Sequence, residues 1–211
     1  MDRSCVVDAA WGRTYPFHEP PAVASARRRL LARAVGDTLD VSPSWRRNHS
    51  CMRAAAVTAV TVLAGALPDP APPPAAGPPV RVDPAPAPGS FDTVVATAAL
   101  CSADRLDVAV ADIARWLRPG GEVLALDHVL GAGLTAFAQR VFGPLGERAG
   151  TTCRLDADVA AALRGGGLEV TDMTRFTARL GGLPVPFLAA TARRPPVPSP
   201  TAAPSAGEPV R

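Results

Sequence analysis

His128 follows Asp127 directly, at the end of an apolar run from Glu122 to Leu126. Imidazole exchanges protons near neutral pH, and an adjacent carboxylate can orient the ring. An acid–histidine pair at the mouth of a strand can serve as a general base; in a structural role the ring would cap the turn instead. Cys101 has no base beside it in the sequence, so packing is expected over nucleophilic attack. His49 and Cys51 lie close together, but two ligands do not make a metal site, and none is expected. Cys5, Cys51, Cys101 and Cys153 are widely spaced and form no CxxC pair. Neither a zinc nor a disulfide framework is expected, and a reducing cytoplasm fits this usage. Trp11, Tyr15 and Phe17, broken up by Pro16, Pro20 and Pro21, form an irregular arm over 1–21. That arm would either lie over a substrate or pack on the core.

These side chains need elements to hold them. The apolar spacing of Val23, Leu30, Leu31 and Ala34 predicts a helix from Ala22 to Val35, ended by Gly36, with its arginines on the solvated side. A short strand follows at 38–41. Residues 57–63 (VTAVTVL) are β-branched at five of seven positions and predict a buried strand. Residues 68–88 hold ten prolines and read as an insertion or linker. Within them only Val80–Val82 could extend a sheet, at an edge. The remaining pattern is a strand at 91–97, a helix at 104–117, a turn at 118–121 and a strand at 122–126. Helices at 134–142 and 156–163 follow, then strands starting at 168 and spanning 186–192. Residues 194–211 form a Pro/Ala/Ser tail expected to be disordered. Apolar strands alternating with helices indicate an α/β fold with a mostly parallel sheet covered on both faces. Ligands on such sheets sit outside the carboxyl ends of the strands, near the switch in strand order.

The bulk composition bounds the possibilities. A chain of 211 residues that is 47% hydrophobic has enough material for one real core, read here as a domain over 22–193. The 22 basic residues are all arginine, and the net charge is only +3. No nucleic-acid footprint is present, and Arg27-Arg28-Arg29 reads as a solvated helix face. Asp2 and Asp8 flank the first apolar patch, so no secretory leader is expected. The longest apolar run, 54–67, is short of the roughly 20 residues that span a bilayer. A cytoplasmic protein with no membrane segment is expected; the sequence carries no sign of its oligomeric state.

An ordered set of segments then resembles a known family. These are FDTVVATAALCS (91–102), IARWLRPGG (113–121), EVLALDHV (122–129), CRLDADVAAALRGGGLEV (153–170) and FLAATARRP (187–195). Together they resemble the class I S-adenosylmethionine-dependent methyltransferases, closest to the branch with quinone-biosynthesis and microsomal thiol methyltransferases. The resemblance implies a Rossmann-like three-layer α/β sandwich. It also implies S-adenosylmethionine as cofactor, a small apolar or lipid-like acceptor, and His128 near the reacting group. By the same resemblance Asp40, Ser42, Ser44, Asp83, Thr97 and Leu100 line the cofactor. Ser42, Ser44 and Arg46 stand where the family has glycines, and Pro43 and Trp45 add bulk. Arg46 would bring a positive charge towards a sulfonium. The strand at 57–63 runs into Ala64-Gly65 with no acid for the ribose. Three functions follow: methyl transfer through a divergent loop, an inactive methyltransferase relic serving as a binding or scaffold protein, or a cofactor-free enzyme reusing the cleft.

Overall fold

The structure, a computed structural model, describes residues 19–64, 76–131, 133, 136, 139, 157–180 and 183–196. The aromatic arm up to residue 18, most of the helix expected at 134–142 and the tail from 197 lie outside them.

Helix α1 (Pro21–Leu31) starts with a proline in its first turn, where the missing N–H costs nothing. It ends four residues before the expected Val35. Gly36 is not its cap: Gly36 opens strand β1 (Gly36–Asp40) with φ 61°, and an added Cβ there would run into the Asp92 side chain. A short helix α2 (Trp45–His49) precedes β2 (Val57–Leu63). The proline-rich stretch is not wholly linker, because it contributes edge strand β3 (Val80–Asp83). Strand β4 (Phe91–Thr97) leads through a 3-10 turn (Leu100–Ser102) into α3 (Leu106–Trp116) and β5 (Leu117–His128). Helix α4 (Val159–Gly165) is capped by Asp158, whose carboxylate accepts the Ala161 N–H. Strands β6 (Glu169–Leu180) and β7 (Leu183–Arg193) close the sheet.

The strand order is β3-β2-β1-β4-β5-β7-β6. All neighbours up to β5 are parallel, whereas β7 runs antiparallel to both β5 and β6. The path goes from β1 outward to β2 and β3, then returns to β4 on the other side of β1. With right-handed crossovers, that reversal puts α2 and α3 on opposite faces and gives three layers. The reversal lies between β1 and β4, so their carboxyl ends flank the crevice where open α/β sheets bind ligands. The core is the row of Leu39, Val60, Val62, Val94, Val95, Val123 and Leu124 in the strands, packed under Leu31, Val110, Ile113 and Leu163.

Residues 118–121 were expected as a turn but belong to β5 as a bulge. Phe91 pairs with Leu117 and Thr93 with Glu122, so β5 carries extra residues against β4. Gly120 has φ 83°, and a Cβ on Gly121 would sit 3.0 Å from the carbonyl oxygens of Asp92 and Arg118. Arg118 of the bulge pairs with Asp92 at 2.6 Å and with Asp37 at 3.1 Å, joining the amino ends of β5, β4 and β1. The FD and RPGG segments are therefore direct partners. They lie at the end of the sheet opposite the crevice, and they shape the fold.

Candidate functional site

The carboxyl ends of β1 and β4 hold a closed polar network. Asp40 ends β1 with its side chain fully buried. The Ser42 N–H donates to its Oδ1 at 2.9 Å, and Asn48 Nδ2 donates to its Oδ2 at 2.9 Å. Burial pushes the Asp40 carboxyl up to about 6, against the lowering pull of these hydrogen bonds and of Arg27. From β4, the Thr97 N–H donates to Ser42 Oγ at 2.8 Å, and Thr97 Oγ1 lies 3.0 Å from Ser44 Oγ. Asn48 Nδ2 also donates to Thr97 Oγ1 at 2.9 Å. Pro43 and the α2 backbone turn Ser42, Ser44 and Asn48 inward, so this loop is short and internally bonded.

The positive charge at this site comes from α1. Arg27 was expected on the solvated face; it is only 6% exposed, its guanidinium reaching in between β1 and β4. Its NH1 donates to Thr97 Oγ1 at 2.9 Å, to Ser44 Oγ at 3.1 Å and to Asn48 Oδ1. On its outer side, Nε and NH2 donate to one oxygen of Glu19 at 2.8 and 2.7 Å. Arg46 behaves differently from expectation: its guanidinium lies 4.7 Å over the Trp45 ring rather than in the crevice. One signal in the sequence points to Arg27. It stands one residue after the buried Ala26 and four before the buried Leu31, on the inner side of the helix.

Of the other expected residues, Asp83 ends β3 at the sheet edge, and its Oδ1 accepts the Ala85 N–H at 2.8 Å. Among the described residues it shares no hydrogen bond with the Asp40 network. Leu100 is buried in the turn after β4 and packs in the core. β2 ends on buried Leu63, and the segment after it begins with Ala64. His49 is buried at the end of α2, where its Nε2 lies 2.8 Å from the Pro78 carbonyl oxygen. Gly77 there has φ 116°, and an added Cβ would collide with the His49 ring. Among the described residues no cluster of ligand-type side chains could hold a metal ion.

Next along the same edge, β4 and β5 bring Cys101 and His128 together. Cys101 Sγ lies 3.8 Å from His128 Nδ1, and both residues are buried. The base partner that Cys101 lacks in sequence comes from 27 positions away. Asp127, expected to orient His128, accepts the Cys101 N–H on Oδ1 at 3.0 Å. His128 meets Phe187 edge-on at 4.5 Å, and Phe187 stacks on Phe176 at 5.5 Å.

Residues 80–125 match the family described as methyltransferase domain, covering β3, β4, α3 and most of β5. No curated protein matches the sequence. Solved structures resemble it at low identity. A protein of Bacillus halodurans assigned as a methyltransferase shares 10% identity over 82% of this chain and 98% of its own, with a TM-score of 0.58. The N-methyltransferase NodS of Bradyrhizobium japonicum, solved with S-adenosyl-L-homocysteine, shares 14% over 84% and 89%, with a TM-score of 0.55. The [4+2]-cyclase SpnF shares 15% over 83% and 82%, with a TM-score of 0.54. The strand order, the switch between β1 and β4 and these likenesses agree: this chain has the class I S-adenosylmethionine-dependent methyltransferase fold.

Proposed function

We propose that the chain is a methyltransferase that binds S-adenosylmethionine at the carboxyl ends of β1 and β4 and acts on a small apolar acceptor. One observation carries this reading. A carboxylate, that of Glu19, sits on the outer side of the buried Arg27 guanidinium, whose inner side meets Thr97 at the crevice. The cofactor's amino-acid end carries a carboxylate, so the residues present fit it there. Asp83 at the end of β3 suits the adenine side, and Ala64 gives the ribose no acid.

When bound, the cofactor supplies an electrophilic methyl group on a sulfonium. Arg27 would hold the carboxylate, which offsets the repulsion between guanidinium and sulfonium. Asp40 fixes the Ser42 N–H, and with it the loop that faces the guest. His128 would take a proton from the acceptor on a ring nitrogen, while Phe187 and Phe176 exclude water from that side. Alignment of a soft nucleophile with the methyl group would do most of the remaining work.

A second reading has its own observation. Ser42, Ser44, Asn48, Thr97 and Arg27 bond to one another, leaving the loop internally satisfied. That pattern favours an inactive relic acting as a binding protein, or cofactor-free chemistry at the His128 end. Isothermal titration with S-adenosylmethionine and S-adenosylhomocysteine separates them. Micromolar binding, about −8 kcal/mol, supports methyl transfer; no heat at millimolar ligand overturns it in favour of the second reading.

A further inference from the structure

Away from the strand-end crevice, a cleft of about 220 Å³ lies between α1 and the β6–β7 hairpin. Its origin is a run of small side chains. Ala26 on the helix lies across from Ala189 on β7, and these two methyl groups leave the space between them unfilled. Phe176 supplies an aromatic wall. At the rim stand Arg29 of α1 and Arg33 in the turn just past it, both exposed, with Asp172 of β6 also lining the cleft. Arg33 already pairs with Asp172 at 3.0 Å, while Arg29 donates only to Ser25 Oγ, at 2.8 Å, among the described residues. At the closed end lies Thr191, wholly buried, its hydroxyl without a hydrogen-bond partner among the described residues.

We propose that this cleft is a second ligand site that takes a small aryl carboxylate. Its ring lies in the slot between the alanines and Phe176, and its carboxylate meets the Arg29 guanidinium. The size sets the class: ligand pockets usually run from about 300 Å³ upward, so this one holds a fragment rather than a nucleotide. Charge sets the sign: Arg33 is taken up by Asp172 and Glu122, which leaves the Arg29 guanidinium for an anion. Affinity should be modest, because an exposed guanidinium–carboxylate pair is worth about 0–1 kcal/mol and the rest must come from burying one ring. None of its residues belongs to the Asp40–Arg27 network, so it does not depend on cofactor binding; it shares Phe176 with the aromatic wall beside His128.

The test is a two-dimensional NMR titration of the full chain with 3-phenylpropionate, alongside the uncharged 3-phenylpropanol. The expected result is saturable shifts confined to α1 and residues 172–191, with a dissociation constant near 1 mM. The alcohol, and the acid against Arg29→Ala, should each bind about two- to fivefold more weakly. Arg29 is exposed, so that variant keeps the fold. Ala189→Leu, which fills the slot, should abolish the shifts. Equal binding of acid and alcohol, shifts centred on Asp40 and Thr97, or none at about 10 mM would each overturn the proposal.

Discussion

Replacing Arg27 with methionine tests whether the charge inside the crevice belongs to a built site. The side chain is 6% exposed, and it donates to Glu19, Ser44, Thr97 and Asn48. Methionine keeps most of the volume and removes every donor. Breaking a buried ion pair by deleting one partner costs about 3–5 kcal/mol. The lower end applies here: Glu19 lies at the edge and can turn to water, and Asn48 Oδ1 keeps the Thr97 hydroxyl at 3.1 Å. A loss of about 3 kcal/mol at pH 8 is expected in urea denaturation. A second consequence is independent of that loss. Arg27 is one of the influences that lower the Asp40 carboxyl from where burial alone would put it. Without it, the Asp40 midpoint should move above about 6, read from the pH dependence of stability. A loss below about 1 kcal/mol with an unmoved midpoint would refute the site and return Arg27 to the solvated face that its basic neighbours suggest.

Two further outcomes follow from named contacts. Asp40 titrates at about 6 in the fold against 3.8 as a free side chain, so the folded state binds the proton more tightly. The stabilisation is fully present below pH 3.8 and is lost as pH rises through 6; two units correspond to about 3 kcal/mol. Asp40→Asn should flatten the stability profile in that window relative to the parent, and an unchanged slope would show that the carboxyl is not buried as described. Gly77→Ala should destabilise by about 1–3 kcal/mol in thermal unfolding, because φ is 116° and the new Cβ meets the His49 ring; Gly89→Ala, at φ 64° in open space, should cost only about 1 kcal/mol, and equal losses would contradict the His49 contact.

The reading of particular elements shows where sequence sufficed. VTAVTVL and FDTVVAT became β2 and β4 at the expected residues, since a buried parallel strand needs an unbroken β-branched or apolar run. Val80–Asp83 emerged as an edge strand because prolines on either side leave only a short pairing segment. Gly36 and Arg118–Gly121 misled for one reason: glycine marks a left-handed or crowded backbone, yet it does not say whether that backbone caps a helix, opens a strand or forms a bulge.

The segments that carry the strongest family resemblance turn out to be fold-shaping. Asp92 of FD and Arg118 of RPGG bind each other at the amino ends of their strands, far from the crevice, so a match over 80–125 speaks chiefly to architecture. Local order along the chain, set by periodicity and by turn residues, was enough for the α/β class and for the position of the crevice. Tertiary structure alone placed Arg27 beside Asp40 and Thr97, and Cys101 beside His128, because those pairs join elements distant in sequence. No local pattern encodes which face of a helix meets which strand end; only the closing of the sheet brings such charges and donors within bonding distance.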